Sequence, residues 1–94
     1  MASTTVKRAR DVTYEVVDGR AMLVDPSGAE LITLNPVGTL VWEALADERR
    51  LTVDVLIDRI RPQLSDVTRE QLVQDLSQFV QELADSGLVE LADS

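Results

Sequence analysis

The sequence predicts an α+β domain, a three-stranded antiparallel sheet followed by three helices, and three observations carry that expectation. Short runs of β-branched and apolar residues, punctuated by turn dipeptides, fill the first third of the chain. From Asn35 onward the apolar residues recur at three- and four-residue spacing instead. With one Phe, one Tyr and one Trp in the chain, the core must be built from Leu, Val, Ile and Ala, which suits a helical layer on a small sheet.

Thr13 to Val17 and Arg20 to Asp25 are joined by Asp18-Gly19, a pair that favours the positive φ angles of a tight hairpin turn. Pro26-Ser27-Gly28 is the next turn signal. Glu30 to Leu34, with β-branched Ile32 and Thr33, then completes a meander. The two-residue period puts Ile32 and Leu34 on one face, towards the helices, and Leu31 and Thr33 on the other. Asn35 caps and Pro36 opens a first helix, in which Val37, Leu40, Val41, Ala44 and Leu45 follow the amphipathic template to about Ala46. Asp47 to Arg50 form a charged connection. Thr52 caps a second helix carrying Val53, Leu56, Ile57 and Ile60, which Pro62 ends or distorts. Thr68 and Gln71 make a capping box for a third helix, lined on one side by Leu72, Val73, Leu76, Phe79, Val80, Leu83 and Ala84 and closed by Gly87. Leu88 to Leu91 is expected to be a short extended tail. Residues 1–11, polar and basic at Lys7, Arg8 and Arg10, are expected to be a flexible, solvated tail. Trp42 and Tyr14 are expected at the margin of the core.

Ninety-four residues suffice for a single domain over residues 1–94 with one core. The formal charge is −8, and eleven acids against five bases from Asp47 onward place most of it in the helical part. A helix presenting Glu70, Asp75, Glu82 and Asp85 against Arg69 alone is unsuited to displacing phosphate counterions, so no nucleic acid is expected as a partner. Without cysteine or histidine, the chain has no disulfide, no thiolate site and none of the commonest metal ligand and general base. Its serines lack a base to activate them, its one lysine, Lys7, falls in the expected tail, and its four glycines are isolated rather than gathered into a phosphate cradle. Asp54 and Asp58 stand at i, i+4 and could share a cation, but a solvated helix face flanking Arg59 and Arg61 accounts for them. No catalytic residue, cofactor or metal site is expected. No apolar run approaches the roughly 20 residues of a membrane span, and the N-terminal stretch lacks an apolar h-region, so a cytoplasmic chain without a membrane partner is the expectation.

What remains is a pattern for holding an extended peptide. A three-stranded meander has two edges, and an uncovered edge offers N–H and C=O groups to another chain. The backbone of Glu30, Leu31, Ile32, Thr33 and Leu34 is the candidate edge, with the third helix as a wall. On that helix Leu76 and Leu83 mark the centre of the apolar stripe and read as core. Val73 and Val80 form one flank, where core and pocket fit equally, and Leu72 and Phe79 form the other.

The order of signals resembles the PqqD-like family of RiPP recognition elements. The hairpin is followed by Ile32-Thr33-Leu34-Asn35, a helix with Val41-Trp42, Thr52-Val53 opening the second helix, Asp75-Leu76 with Phe79 and Leu83, and finally Gly87-Leu88-Val89. The resemblance runs from about Tyr14 to Val89, and its specificity lies in the combination. It implies a winged-helix-like fold that takes the leader of a ribosomally made precursor peptide as an added strand between the third strand and the third helix. Carried onto this chain, it places the guest strand on Leu31 to Leu34 and apolar docking near Val73, Leu76, Phe79 and Val80, and Asp75 matches a family acid. PqqD proteins of quinone cofactor synthesis usually carry an Asp-Gly pair between the first two helices and a Leu-Leu-Ala-Pro-Glu stretch on the second strand. Here those places hold Ala46 to Arg50 and Met22 to Pro26. The chain looks closer to the stand-alone elements of lasso-peptide clusters, which implies a cysteine leader peptidase and a macrolactam synthetase as further partners. The alternatives are a PqqD-type peptide chaperone, a winged-helix DNA-binding regulator and a structural subunit of a larger enzyme.

Overall fold

The computed structural model describes residues 4–46, 50–64 and 66–93; most of the charged connection after Ala46 lies outside them. The elements run β1 (Thr4–Arg8), β2 (Thr13–Val17), β3 (Arg20–Val24), β4 (Leu31–Thr33), α1 (Pro36–Ala44), β5 (Leu51–Thr52), α2 (Val53–Ile60), a 3-10 turn (Arg61–Gln63), α3 (Arg69–Asp85) and β6 (Val89–Asp93). The fold is α+β with the three expected helices, but it has two three-stranded antiparallel sheets rather than one. These are β2-β3-β4, the expected meander, and β5-β1-β6.

The second sheet corrects the reading of residues 1–11 as a flexible tail. Thr4–Arg8 is the central strand, laddered to β6 from Thr4↔Asp93 to Arg8↔Val89 and to β5 through Val6↔Leu51. Its centre, Val6, has no exposed surface. The expected C-terminal extended tail is the strand that covers it.

Local chemistry explains the other elements. Asp18 and Gly19 both have positive φ, 54° and 77°, so the hairpin turn matches the right-handed twist of its strands. In the next turn the Asp25 carboxylate accepts from the Ser27 hydroxyl and from the amides of Ala29 and Glu30. The Ser27 hydrogen bond is the largest effect holding its pKa below the usual carboxylate value; desolvation opposes it, and the amides of Glu30, Ala29 and Gly28 lower it further. Asn35 Oδ1 accepts from the Gly38 amide at 2.7 Å and Thr68 Oγ1 from the Gln71 amide at 3.1 Å, each satisfying a donor that a helix start leaves free. Gly87, at φ 77°, ends α3 in a Schellman motif. Its amide donates to Ala84 O and that of Leu88 to Leu83 O.

One core joins both sheets to the helices, with Val6, Leu23, Leu34, Val41, Leu56, Ile57, Leu76, Val80 and Leu88 among its members. Trp42 is fully buried rather than marginal, with the Arg8 side chain over its ring and the Tyr14 ring 5.6 Å away, edge to face. The Arg8 guanidinium lies 4.3 Å from the Trp42 ring centroid and 4.7 Å from that of Tyr14. Its Nε and Nη2 donate to Trp42 O at 3.2 and 2.5 Å. Helix α1 has no basic residue in its last turn, so Arg8 supplies the cation that the helix end favours. Asp54 and Asp58 both bridge to Arg69 at 3.1 Å. The acidic pair stands on an exposed face, as expected, and also ties α2 to the start of α3.

Thr39 is buried within α1. Its Oγ1 accepts from the Ala21 amide at 2.9 Å and donates to Asn35 O at 3.0 Å. This link fixes α1 against β3, and with it the position of the neighbouring strand β4.

Candidate functional site

Strand β4 pairs with β3 on one side, Met22↔Thr33, Leu23↔Ile32 and Val24↔Leu31, and is the edge of its sheet. The amide of Leu34 donates to Ala21 O and that of Asp25 to Glu30 O. Glu30, Ile32 and Leu34 are therefore the residues whose backbone faces β3, because hydrogen-bonded pairs alternate along an antiparallel ladder. The N–H and C=O groups of Leu31 and Thr33 point the other way, out of the free edge.

Beyond that edge lies a groove of about 510 Å³, lined from the sheet side by Arg20, Glu30, Ile32, Thr33, Leu34 and Asn35, and from α3 by Phe79, Glu82, Leu83 and Ser86. A smaller hollow of about 230 Å³ adjoins it, where Asn35, Val37, Gly38 and Val41 meet Asp75, Leu76 and Phe79. Phe79 and Asn35 belong to both. The wall is thus a single stripe of α3, Asp75, Phe79, Glu82 and Ser86, at the spacings of residues that stack on one helix face. Phe79 is partly buried against the core and reaches α1 at Gly38. A Cβ on Gly38 would lie 2.9 Å from Phe79 Cζ, so the glycine leaves room for the tip of the ring at the start of α1.

Of the residues picked out from sequence, the structure brings together Glu30, Ile32, Thr33, Leu34, Asp75, Leu76 and Phe79 around these two hollows. Leu31 is 63% exposed on the outer face of the sheet and contributes its backbone to the edge. Val73 and Val80, for which core and pocket fitted equally, line neither hollow. Val80 is 2% exposed, within the core, and Val73 lines a separate hollow with Thr4, Thr52, Val53, Asp54 and Ser77. The flank that borders the groove is the one carrying Phe79. Arg20, Asn35, Glu82 and Ser86 were not singled out as site residues. The four-residue step from Phe79 back to Asp75 and the three-residue step on to Glu82 were the available signal.

Among the described residues no group of three or more His, Cys, Asp or Glu side chains is placed to hold a metal ion, and no helix is long and apolar enough to cross a membrane. What the geometry defines is a small α+β domain whose sheet edge at β4 borders a groove walled by Phe79, Glu82, Leu83 and Ser86 at the end of α3. The sequence matches the family model described as coenzyme PQQ synthesis protein D (PqqD) over residues 20–89, and the chain belongs to that family. Among solved structures it is similar to one described as TbiB1 in complex with the TbiA(beta) leader peptide. The two are 26% identical, with a TM-score of 0.78 over 89% of this chain and 94% of the other. No curated protein sequence matches.

Proposed function

We propose that this chain is a stand-alone RiPP recognition element. It binds the leader of a ribosomally synthesised precursor as a strand added to β4, in the groove against α3, and presents it in the cytoplasm to a cysteine leader peptidase and then to a macrolactam synthetase, as in lasso-peptide maturation. The observation that carries the reading is the edge strand β4, where the backbone of Leu31 and Thr33 points away from β3, beside a groove lined by Thr33 and Phe79. The similarity to a leader-peptide complex supports it. The chain supplies no reaction of its own on this reading; it raises the local concentration of the cleavable segment beside the protease.

The test uses a precursor and a peptidase encoded beside this chain's gene. A fluorescein-labelled leader should bind in anisotropy titrations, and cleavage by the peptidase should accelerate when the chain is added, with no cleavage by the chain alone. Cleavage without the peptidase, or a leader that fails to bind, would sink the proposal. Neighbours for quinone cofactor synthesis would favour the PqqD-type chaperone instead.

The contact at Gly38 gives a sharper expectation. In Gly38→Ala the added methyl drives the Phe79 ring towards the groove, because the ring is the movable partner and its other side is open. Alanine's better helix propensity, up to about 1 kcal/mol in a helix interior, offsets part of the crowding. The melting temperature should stay within about 5 °C of wild type, while leader affinity drops about fivefold. Unchanged affinity in the variant would mean that the Phe79 ring does not meet the peptide.

A further inference from the structure

We infer that Thr39, which lines neither hollow, is a positioning residue for the docking edge: its hydroxyl sets where the end of β4 meets α1, and with it the shape of the groove at Asn35. The inference rests on the peptide-docking reading above and adds the residue that holds the edge in place. Among the described residues Thr39 is the one buried polar or charged side chain, at 2% exposed. A hydroxyl in such a place is costly unless it is hydrogen-bonded, and both of its bonds go to the segment that forms the edge. In the hydrogen-bonded pairs of an antiparallel ladder the two residues exchange both bonds. Here the Leu34 amide donates to Ala21 O at 2.8 Å, but the Ala21 amide turns to Thr39 Oγ1 at 2.9 Å. The exchange between β3 and the end of β4 is therefore only half made.

The same hydroxyl donates to Asn35 O at 3.0 Å, beside the Thr39 amide at 2.8 Å, which uses both lone pairs of that carbonyl. Asn35 borders both hollows and Leu34 the larger one. One side chain thus joins β3, the junction of β4 with α1, and α1 itself. Ala21 is fully buried, so its amide has no water to turn to if the hydroxyl is removed. The acceptor that a regular ladder would offer it is the Leu34 carbonyl. Closing that bond draws Leu34 and Asn35 towards β3 and away from the position in which they border the groove. Thr39 holds the end of β4 short of full pairing, in the geometry a guest strand meets.

The experiment follows the anisotropy of the fluorescein-labelled leader on wild type, Thr39→Val, Thr39→Ser and Ile57→Val, with a thermal melt of each. Thr39→Val keeps the shape of the side chain and removes the hydroxyl, which is not a neutral exchange at a buried site. At a temperature where its melt shows it folded, it should bind the leader about tenfold more weakly. Thr39→Ser keeps the hydroxyl without the methyl and should bind within about threefold of wild type. Ile57→Val weakens the core at α2, where Ile57 is fully buried and borders neither hollow, and should lower the melting temperature without changing affinity. If Thr39→Val does not fold, Thr39→Cys replaces it, because a thiol is a weaker donor and acceptor than a hydroxyl, and the same order is expected. Wild-type affinity in the folded variant that lacks the hydroxyl, or an equal loss in Ile57→Val, overturns the positioning role and leaves the docking reading standing. A leader that does not bind wild type, or that binds a folded Thr33→Pro chain at full strength, takes down the docking reading and this inference with it.

Discussion

Val80→Asp should unfold the domain. Val80 is 2% exposed and packs in the core shared by the helices and both sheets, so an aspartate there has no water and no partner. Burying the polar group costs several kcal/mol, or else the carboxyl takes up a proton and still leaves hydrogen-bonding groups unsatisfied. The lost apolar burial of valine adds about 1.5–3 kcal/mol. Against a stability of about 5–15 kcal/mol for a domain of ordinary size, the sum removes most or all of the folded population. Circular dichroism melts and urea titrations measure it directly. Val73→Asp is the matched control. It lies one turn of α3 away from Leu76 and Ser77 on an exposed side, and should leave both the melt and peptide binding close to wild type. A Val80→Asp chain that melts cooperatively at the wild-type temperature would contradict the packing of α3 described above.

The contrast between those two valines shows what sequence pattern conveys and what it leaves out. Hydrophobic periodicity on α3 located Leu72, Leu76, Val80 and Leu83, all of which are buried, because apolar spacing reports the direction of the core. The candidate groove lies at the margin of that stripe. There apolar Phe79 alternates with Asp75, Glu82 and Ser86, so a search for an apolar wall passes over most of it. The edge itself was legible. Asp18-Gly19 set the hairpin, the turn at Asp25 to Glu30 set the third strand, and the two-residue period correctly put Leu34 inside and Leu31 outside. The second sheet was not, because its information is not local. Strand β1 has one fully buried residue, Val6, between polar neighbours, β5 is two residues long, and the ladder joins Thr4 to Asp93. The β-branched run Thr4-Thr5-Val6 was a weak strand signal, outweighed by Lys7, Arg8 and Arg10. Arg8, which looked like solvated charge, spans Trp42 and Tyr14. Gly38 offered a usable clue, since a glycine in the first turn of a helix is unfavourable unless something approaches closely.

Thr33→Pro should abolish most peptide binding in a chain that remains folded. The amide of Thr33 points out of the sheet, because the neighbouring ladder contacts with β3 fall at Leu34 and Glu30. Proline there removes no bond that the free protein makes. An edge strand tolerates the fixed φ, and the preceding residue, Ile32, already has the extended backbone that a following proline requires. For the added strand the loss is direct. One N–H donor disappears, and the guest carbonyl it would have met is left unpaired in a groove closed by Phe79, a penalty of about 1–3 kcal/mol. The ring also occupies the path along which the guest backbone would approach. Leader affinity should therefore fall by about ten- to a hundredfold, while the melting temperature changes little. Thr33→Ala separates backbone from side chain. It keeps the amide, removes only an exposed hydroxyl and methyl, and should bind nearly as tightly as wild type. Equal affinity for a folded Thr33→Pro chain would mean that no strand adds to this edge. A large loss in Thr33→Ala would mean that the peptide is read through the threonine side chain, on the outer face of the sheet, rather than through the backbone of β4.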